Sequence, residues 1–250
     1  MLRVGDPRGK VGLYRLPSEH QNRHHPRMGA VRSKSRLIAI LFVALLPTTS
    51  ALEIALASQL RASDALIELE VKGRAPKTGY DRDLFGSPWS DVDRNGCDTR
   101  NDVLLRDLIA KTFESPRDRC VIVEGLLIDP YSGEKIEFTR GRVTSLAVQI
   151  DHVVSLSNAW QTGAFRWSEE KRKRFANDPL NLLAVKGSLN SQKGDADAAT
   201  WLPPKRSFRC SYVARQIAVK VSYDLWLTPS EKSAMERVLE RCPNQRIPSN

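Results

Sequence analysis

Residues 148–154 read Val-Gln-Ile-Asp-His-Val-Val, an apolar run interrupted by one carboxylate and one imidazole. This segment constrains the fold most, because a short apolar run of this length fits a buried strand, and a strand sends neighbouring side chains to opposite faces. Asp151 and His152 therefore flank whatever lies across that strand end. The chain has four histidines, and three of them, His20, His24 and His25, fall in an N-terminal stretch that a mature protein would lose. His152 is thus the one histidine left for acid–base chemistry near neutral pH. Taken alone it would more readily read as a structural histidine at a strand end.

The downstream sequence decides between those two roles. Residues 177–185 run Asn-Asp-Pro-Leu-Asn-Leu-Leu-Ala-Val, and residues 187–195 run Gly-Ser-Leu-Asn-Ser-Gln-Lys-Gly-Asp. Asn181 opens a second apolar strand, a Gly-Ser turn follows, and Asn190 begins a segment carrying Lys193 and Asp195. Asp-His, then Asn, then Asn-x-x-Lys is the order of parts in a ββα-metal nuclease site. At these residues the chain resembles the HNH endonuclease superfamily, and more closely its small secreted bacterial members. Gly-Tyr-Asp-Arg at 79–82, the 148–154 segment and Asp-Pro-Leu-Asn-Leu-Leu at 178–183 match that family's pattern. The spacing from Asn181 through Asn190 to Lys193 is also similar to the HNH domain of CRISPR effector nucleases.

Phosphodiester hydrolysis needs an activated water, neutralised phosphoryl charge and a stabilised leaving oxygen. His152 suits the first task, since an unperturbed imidazole titrates at about 6.5. Asp151 and Asn190 offer hard oxygen ligands for one divalent cation, Mg²⁺ or Mn²⁺, and leave positions open for water and phosphate. Many HNH sites carry a second histidine as ligand, and its replacement here by oxygen disfavours Zn²⁺ and Ni²⁺. By resemblance, Asn181 orients the general base, while its alternative is a turn-forming Asn after Asp-Pro. Asn190 could equally be a helix N-cap. Lys193, one turn after Asn190, and Arg142 are candidate phosphate contacts, against the alternative of solvated surface residues. Arg140 is a weaker candidate of the same kind.

The ends of the chain indicate where it works. Basic residues at 32–36, an apolar stretch at 37–46, Pro47 and an Ala-Leu-Ala site at 55–57 describe a secretory signal peptide. The apolar core is short of the ~20 residues a membrane span needs, so no stable membrane association is expected. Met28 is a plausible true start. Residues 1–36 hold nine basic and two acidic side chains, so the whole-chain net charge of +10 falls to +3 beyond them. Composition alone therefore does not announce a nucleic-acid partner, although Lys171-Arg172-Lys173-Arg174 is either a local basic patch or the wet face of a helix.

Four cysteines, Cys97, Cys120, Cys210 and Cys242, suggest two disulfides in a secreted chain. Pairing Cys97 with Cys120 and Cys210 with Cys242 brackets one helical segment each. No C-x₂₋₄-C pair supports zinc.

The expected fold is α+β: a ββα-metal (HNH) core with surrounding helices and an additional β-hairpin. The domain plan is a leader and signal peptide at 1–57, a linker at 58–78, the nuclease domain at 79–246 and a tail at 247–250. Asp98 would cap a helix carrying Leu104, Leu105, Leu108 and Ile109. Residues 120–128 and 135–139 would form a hairpin beside the Asp-His strand, and helices are expected at 155–163, 168–176 and 208–223. Thr228-Pro229-Ser230-Glu231 has the form of a capping box. The resemblance implies a secreted, monomeric endonuclease acting on DNA, with RNA a second substrate. A nucleic-acid-binding domain that has lost catalysis, and a hydrolase of another phosphoester, are the competing functions.

Overall fold

The structure, a computed structural model, describes residues 60–117 and 119–248. The leader and signal peptide expected at 1–57 fall outside the described residues. Seven α-helices and five strands are present among those described: α1 (Ala62–Glu68), α2 (Thr99–Asp107), β1 (Leu108–Phe113), β2 (Ile122–Ile128), β3 (Lys135–Thr139), β4 (Val148–His152), α3 (Leu156–Gln161), α4 (Glu169–Ala176), β5 (Leu182–Lys186), α5 (Gly187–Lys193), α6 (Arg209–Tyr223) and α7 (Pro229–Leu239).

Local capping explains where the helices begin. Asp98 accepts from the Asn101 amide, Ser155 from Asn158 and Ser168 from Lys171, and Thr228 with Glu231 forms a reciprocal capping box. The strands form two antiparallel sheets, β1-β2-β3 and β4-β5. In the second, Asp151 pairs with Leu183 and His152 with Leu182. Strand alternation makes this sheet a partition between two cores. Val148, Ile150, Leu182 and Ala184 join Val103, Leu104, Leu108, Ile122, Leu127 and Phe138 on one side. Leu183 and Val185 face the larger core of Tyr131, Phe175, Tyr212, Val213 and Ile217 on the other. Helix α5 follows β5 directly, and Gly187 makes that junction possible: a Cβ there would collide with the Leu146 carbonyl oxygen.

Several expectations change. The α2 helix stops at Asp107, and Leu108 and Ile109 belong to β1, paired with Leu127 and Leu126. Leu108 is buried while Ile109 is exposed, so the apolar run continues with a strand's alternation rather than a helix's. The hairpin of β2 and β3 is present, with its turn closed by Gly133 N–H to the Asp129 carbonyl at 2.8 Å. It does not hydrogen-bond beside β4; it pairs with β1 and meets the β4-β5 sheet face to face through the smaller core. The segment read as a linker carries α1, whose Ala62, Ala65 and Leu66 are buried in the larger core, and Ile247 of the supposed tail is buried as well. Burying these small and apolar side chains against the C-terminal helices ties the segment to the domain.

The disulfides are Cys97–Cys120 and Cys210–Cys242, as the bracketing argument expects. The second spans two helices, α6 and α7, rather than one.

Candidate active site

Asp151 and His152 end β4 with their side chains on opposite faces. Asp151 is buried and accepts two hydrogen bonds, from Tyr131 Oη to Oδ2 at 2.5 Å and from Lys193 Nζ to Oδ1 at 2.9 Å. Burial holds its carboxyl above the usual carboxylate range, opposed by the Lys193 charge and by both hydrogen bonds. Tyr131 comes from the β2–β3 turn and is fixed by edge contacts to Trp201 and Tyr212.

His152 Nε2 lies 2.8 Å from the Ala176 carbonyl oxygen. A carbonyl only accepts, so Nε2 carries the proton and Nδ1 is left as a lone-pair base. Burial lowers the imidazole pKa to about 3, with the cations Arg82 and Lys193 pushing the same way against the Ala176 bond. The ring is therefore neutral across the ordinary pH range. Its other face looks towards Trp89, near-parallel at 14° with centroids 6.4 Å apart.

Asn181 is fully buried and grips the chain just beyond His152. Its Oδ1 accepts from Val154 N–H at 2.9 Å, its Nδ2 donates to the Val154 carbonyl at 3.1 Å, and its own carbonyl accepts from Val153 N–H at 2.8 Å. Its N–H also closes the turn from Asp178 at 2.8 Å, so the turn and the anchoring roles are one geometry. Asn190 is not an N-cap, since α5 starts three residues earlier; its Nδ2 donates to Gln149 Oε1 at 2.9 Å. Arg82, Gln149, Asp151, His152, Asn190 and Asp195 line one cleft of about 260 Å³. The structure thus brings Asp151, His152 and Asn190 together, with Asn181 behind them.

Three basic candidates do not occupy a phosphate-facing position. Lys193 has a fully buried side chain that donates to Asp151 and, at 2.8 Å, to the His152 carbonyl. The carboxylate across the strand draws it inward, because a buried ammonium needs an anion and acceptors. Arg142 is exposed in the β3–β4 connection and does not line the cleft. Arg140 donates to the Ile122 carbonyl at 2.8 Å and to Asn101. In the 171–174 run, Arg172 is tied to the Leu84 and Trp167 carbonyls, whereas Lys173 and Arg174 are exposed.

Arg82, exposed at the mouth of the cleft, was missed as a site residue. The signal was its place at the end of the 79–82 motif, since basic side chains are among the groups that contact phosphates. Tyr131 and Asp195 carried no comparable signal.

Residues 98–238 match the family described as GmrSD restriction endonucleases, C-terminal domain. A protein of Arthroderma benhamiae, described as an uncharacterized secreted protein, is 38% identical over 183 residues, spanning 72% of this chain and 84% of that protein. No solved structure matches significantly. The matched region runs from the cap of α2 into α7 and contains Asp151, His152, Asn181 and Asn190, and with more than half its length so matched, the chain belongs to the family of the GmrSD restriction endonuclease C-terminal domain.

Proposed function

We propose that the chain is a secreted, metal-dependent endonuclease of the HNH type, its β4-β5-α5 unit serving as a ββα-metal core, that hydrolyses phosphodiester bonds of DNA and also of RNA. One observation carries this reading: His152 presents an unprotonated Nδ1 from a ring whose Nε2–H is fixed on Ala176, beside a cleft lined by Asp151 and Asn190. The family's nuclease description and the secreted relative support it.

In the reaction, His152 Nδ1 accepts a proton from water as the water oxygen bonds to phosphorus. The P–O3′ bond breaks, leaving a 5′-phosphate, and the O3′ takes a proton to become a hydroxyl. Asn181 positions His152 through Val154, and Arg82 neutralises a phosphoryl oxygen. The carboxylate of Asp151 and the amide oxygen of Asn190 are hard oxygen donors, and they would hold Mg²⁺ or Mn²⁺. Among the described residues no group of three His, Cys, Asp or Glu side chains is arranged to hold a metal. When bound, such an ion supplies Lewis-acid charge neutralisation at the phosphate and leaving oxygen.

A second reading, a nucleic-acid-binding domain without hydrolysis, draws on the buried Asp151–Lys193 pair, which already neutralises the carboxylate. Purified protein incubated with plasmid and Mg²⁺ separates the two. Hydrolysis is expected, abolished by EDTA and reduced at least about 100-fold in His152→Ala. Hydrolysis surviving both treatments would remove the mechanism, and DNA binding with no hydrolysis would favour the second reading.

A further inference from the structure

Behind His152, away from the cleft of Asp151 and Asn190, lies a second pocket of about 100 Å³, lined in part by Arg82, Phe85, Trp89, His152, Leu156 and Asn177. The catalytic proposal uses His152 and Arg82 of this lining but not the space they enclose with Trp89. Three features of the pocket point to a ligand, although Trp89 also packs against the smaller core.

The first is Trp89. Its indole runs near-parallel to the His152 ring, at 14°, and its backbone has a φ of 57°. A bulky aromatic adopts that left-handed conformation only when its surroundings impose it, and such positions cluster at binding sites. The second is Asn177, which caps α4 with Nδ2 donating to the Lys173 carbonyl at 2.9 Å. It is 1% exposed, and its Oδ1 has no hydrogen-bond partner among the described residues. An unmet buried acceptor is costly, and the side chain that carries it is among those lining the pocket. The third is Arg82, an exposed cation that lines both this pocket and the catalytic cleft.

We infer that this pocket is a nucleobase subsite: the base next to the phosphate held at His152 lies on Trp89, an N–H of its edge donates to Asn177 Oδ1, and Arg82 holds the intervening phosphate. The inference rests on the nuclease reading for the position of that phosphate. A flat aromatic wall accepts any base, since every base has a π-face. A single acceptor adds little choice, because each base carries an edge N–H. In a duplex the base faces are covered by neighbours, and the N–H groups of the pairing edge are engaged by the opposite strand. The pocket therefore selects for an unpaired base rather than for one base identity, and the protein prefers single-stranded or locally melted substrate.

The test has a binding arm and a cleavage arm. The probe is a single-stranded oligonucleotide carrying 2-aminopurine, titrated in EDTA into wild type, Trp89→Leu and Trp89→Phe, with melting curves confirming that each variant is folded. Stacking on Trp89 predicts quenching of the probe in wild type, affinity at least about five-fold weaker in Trp89→Leu, and recovery in Trp89→Phe, which keeps a ring if the leucine variant does not fold. In Mg²⁺, the single- to double-strand cleavage ratio should fall by a similar factor in Trp89→Leu. Equal affinity and an equal ratio in all three proteins would overturn the subsite while leaving the nuclease reading intact. Quenching that depends on residue 89 in a wild type that cleaves nothing would do the reverse.

Discussion

Asn181 holds Val154 at both its N–H and its carbonyl, two residues beyond the imidazole. In Asn181→Ala both backbone groups stay buried and lose their partners, at about 1–3 kcal/mol each. The expected outcome is a stability loss of about 2–4 kcal/mol in urea, with turnover falling further than the unfolded fraction explains because His152 is no longer held in place. Unchanged turnover per folded molecule would remove the positioning role. Asn181 was legible because its spacing from Asp-His and from Asn190 is carried by the chain itself. Lys193 was not, since spacing along a helix does not say whether a side chain meets water or a carboxylate brought from the opposite strand. Tyr131, twenty residues from Asp151 in sequence, is a contact of the same kind that no periodicity reveals.

At the scale of elements, what could be read was what is local. The starts of α2, α3, α4 and α7 follow from Asp98, Ser155, Ser168 and Thr228, each of which caps within its own turn. The switch from α2 to β1 at Leu108 could not be read, because it depends on pairing with β2 across an intervening loop, and a short apolar run fits both patterns. The β5–α5 junction combines the two cases: a glycine before a helix is visible, but the Leu146 carbonyl that excludes a side chain comes from another segment. Gly187→Ala forces the first turn of α5 outward and carries Asn190 with it. We expect a loss above about 1 kcal/mol in thermal unfolding together with a rise in the Mg²⁺ concentration needed for half-maximal activity. Wild-type metal dependence in a destabilised variant would show that α5 does not set the position of Asn190.

Across the whole molecule, the two cores are joined through the β4-β5 sheet, and the site is placed where that partition ends, so its protonation state is coupled to global folding. His152 titrates at about 3 in the folded protein because burial disfavours the imidazolium, against about 6.5 in an unfolded chain. Between those values the unfolded state binds more protons than the folded one, so stability rises with pH through this window and is lost as pH falls from about 6.5 towards 3. At pH 4.5 the imidazole alone should cost about 2–3 kcal/mol relative to pH 7.5. Asp151 and Glu231 are shifted up by burial, and a carboxyl raised in this way gains stability as pH falls, so the total profile mixes opposing contributions. The His152→Gln variant isolates the histidine, because its amide nitrogen takes the place of the imidazole Nε2, can donate to the Ala176 carbonyl and does not titrate. Denaturant unfolding in EDTA at both pH values should therefore show a wild-type loss on acidification that exceeds the variant's by that amount. Parallel losses in the two proteins would mean that the imidazole is solvated and titrates normally, and that the desolvated neutral base assigned to the site is not present in solution.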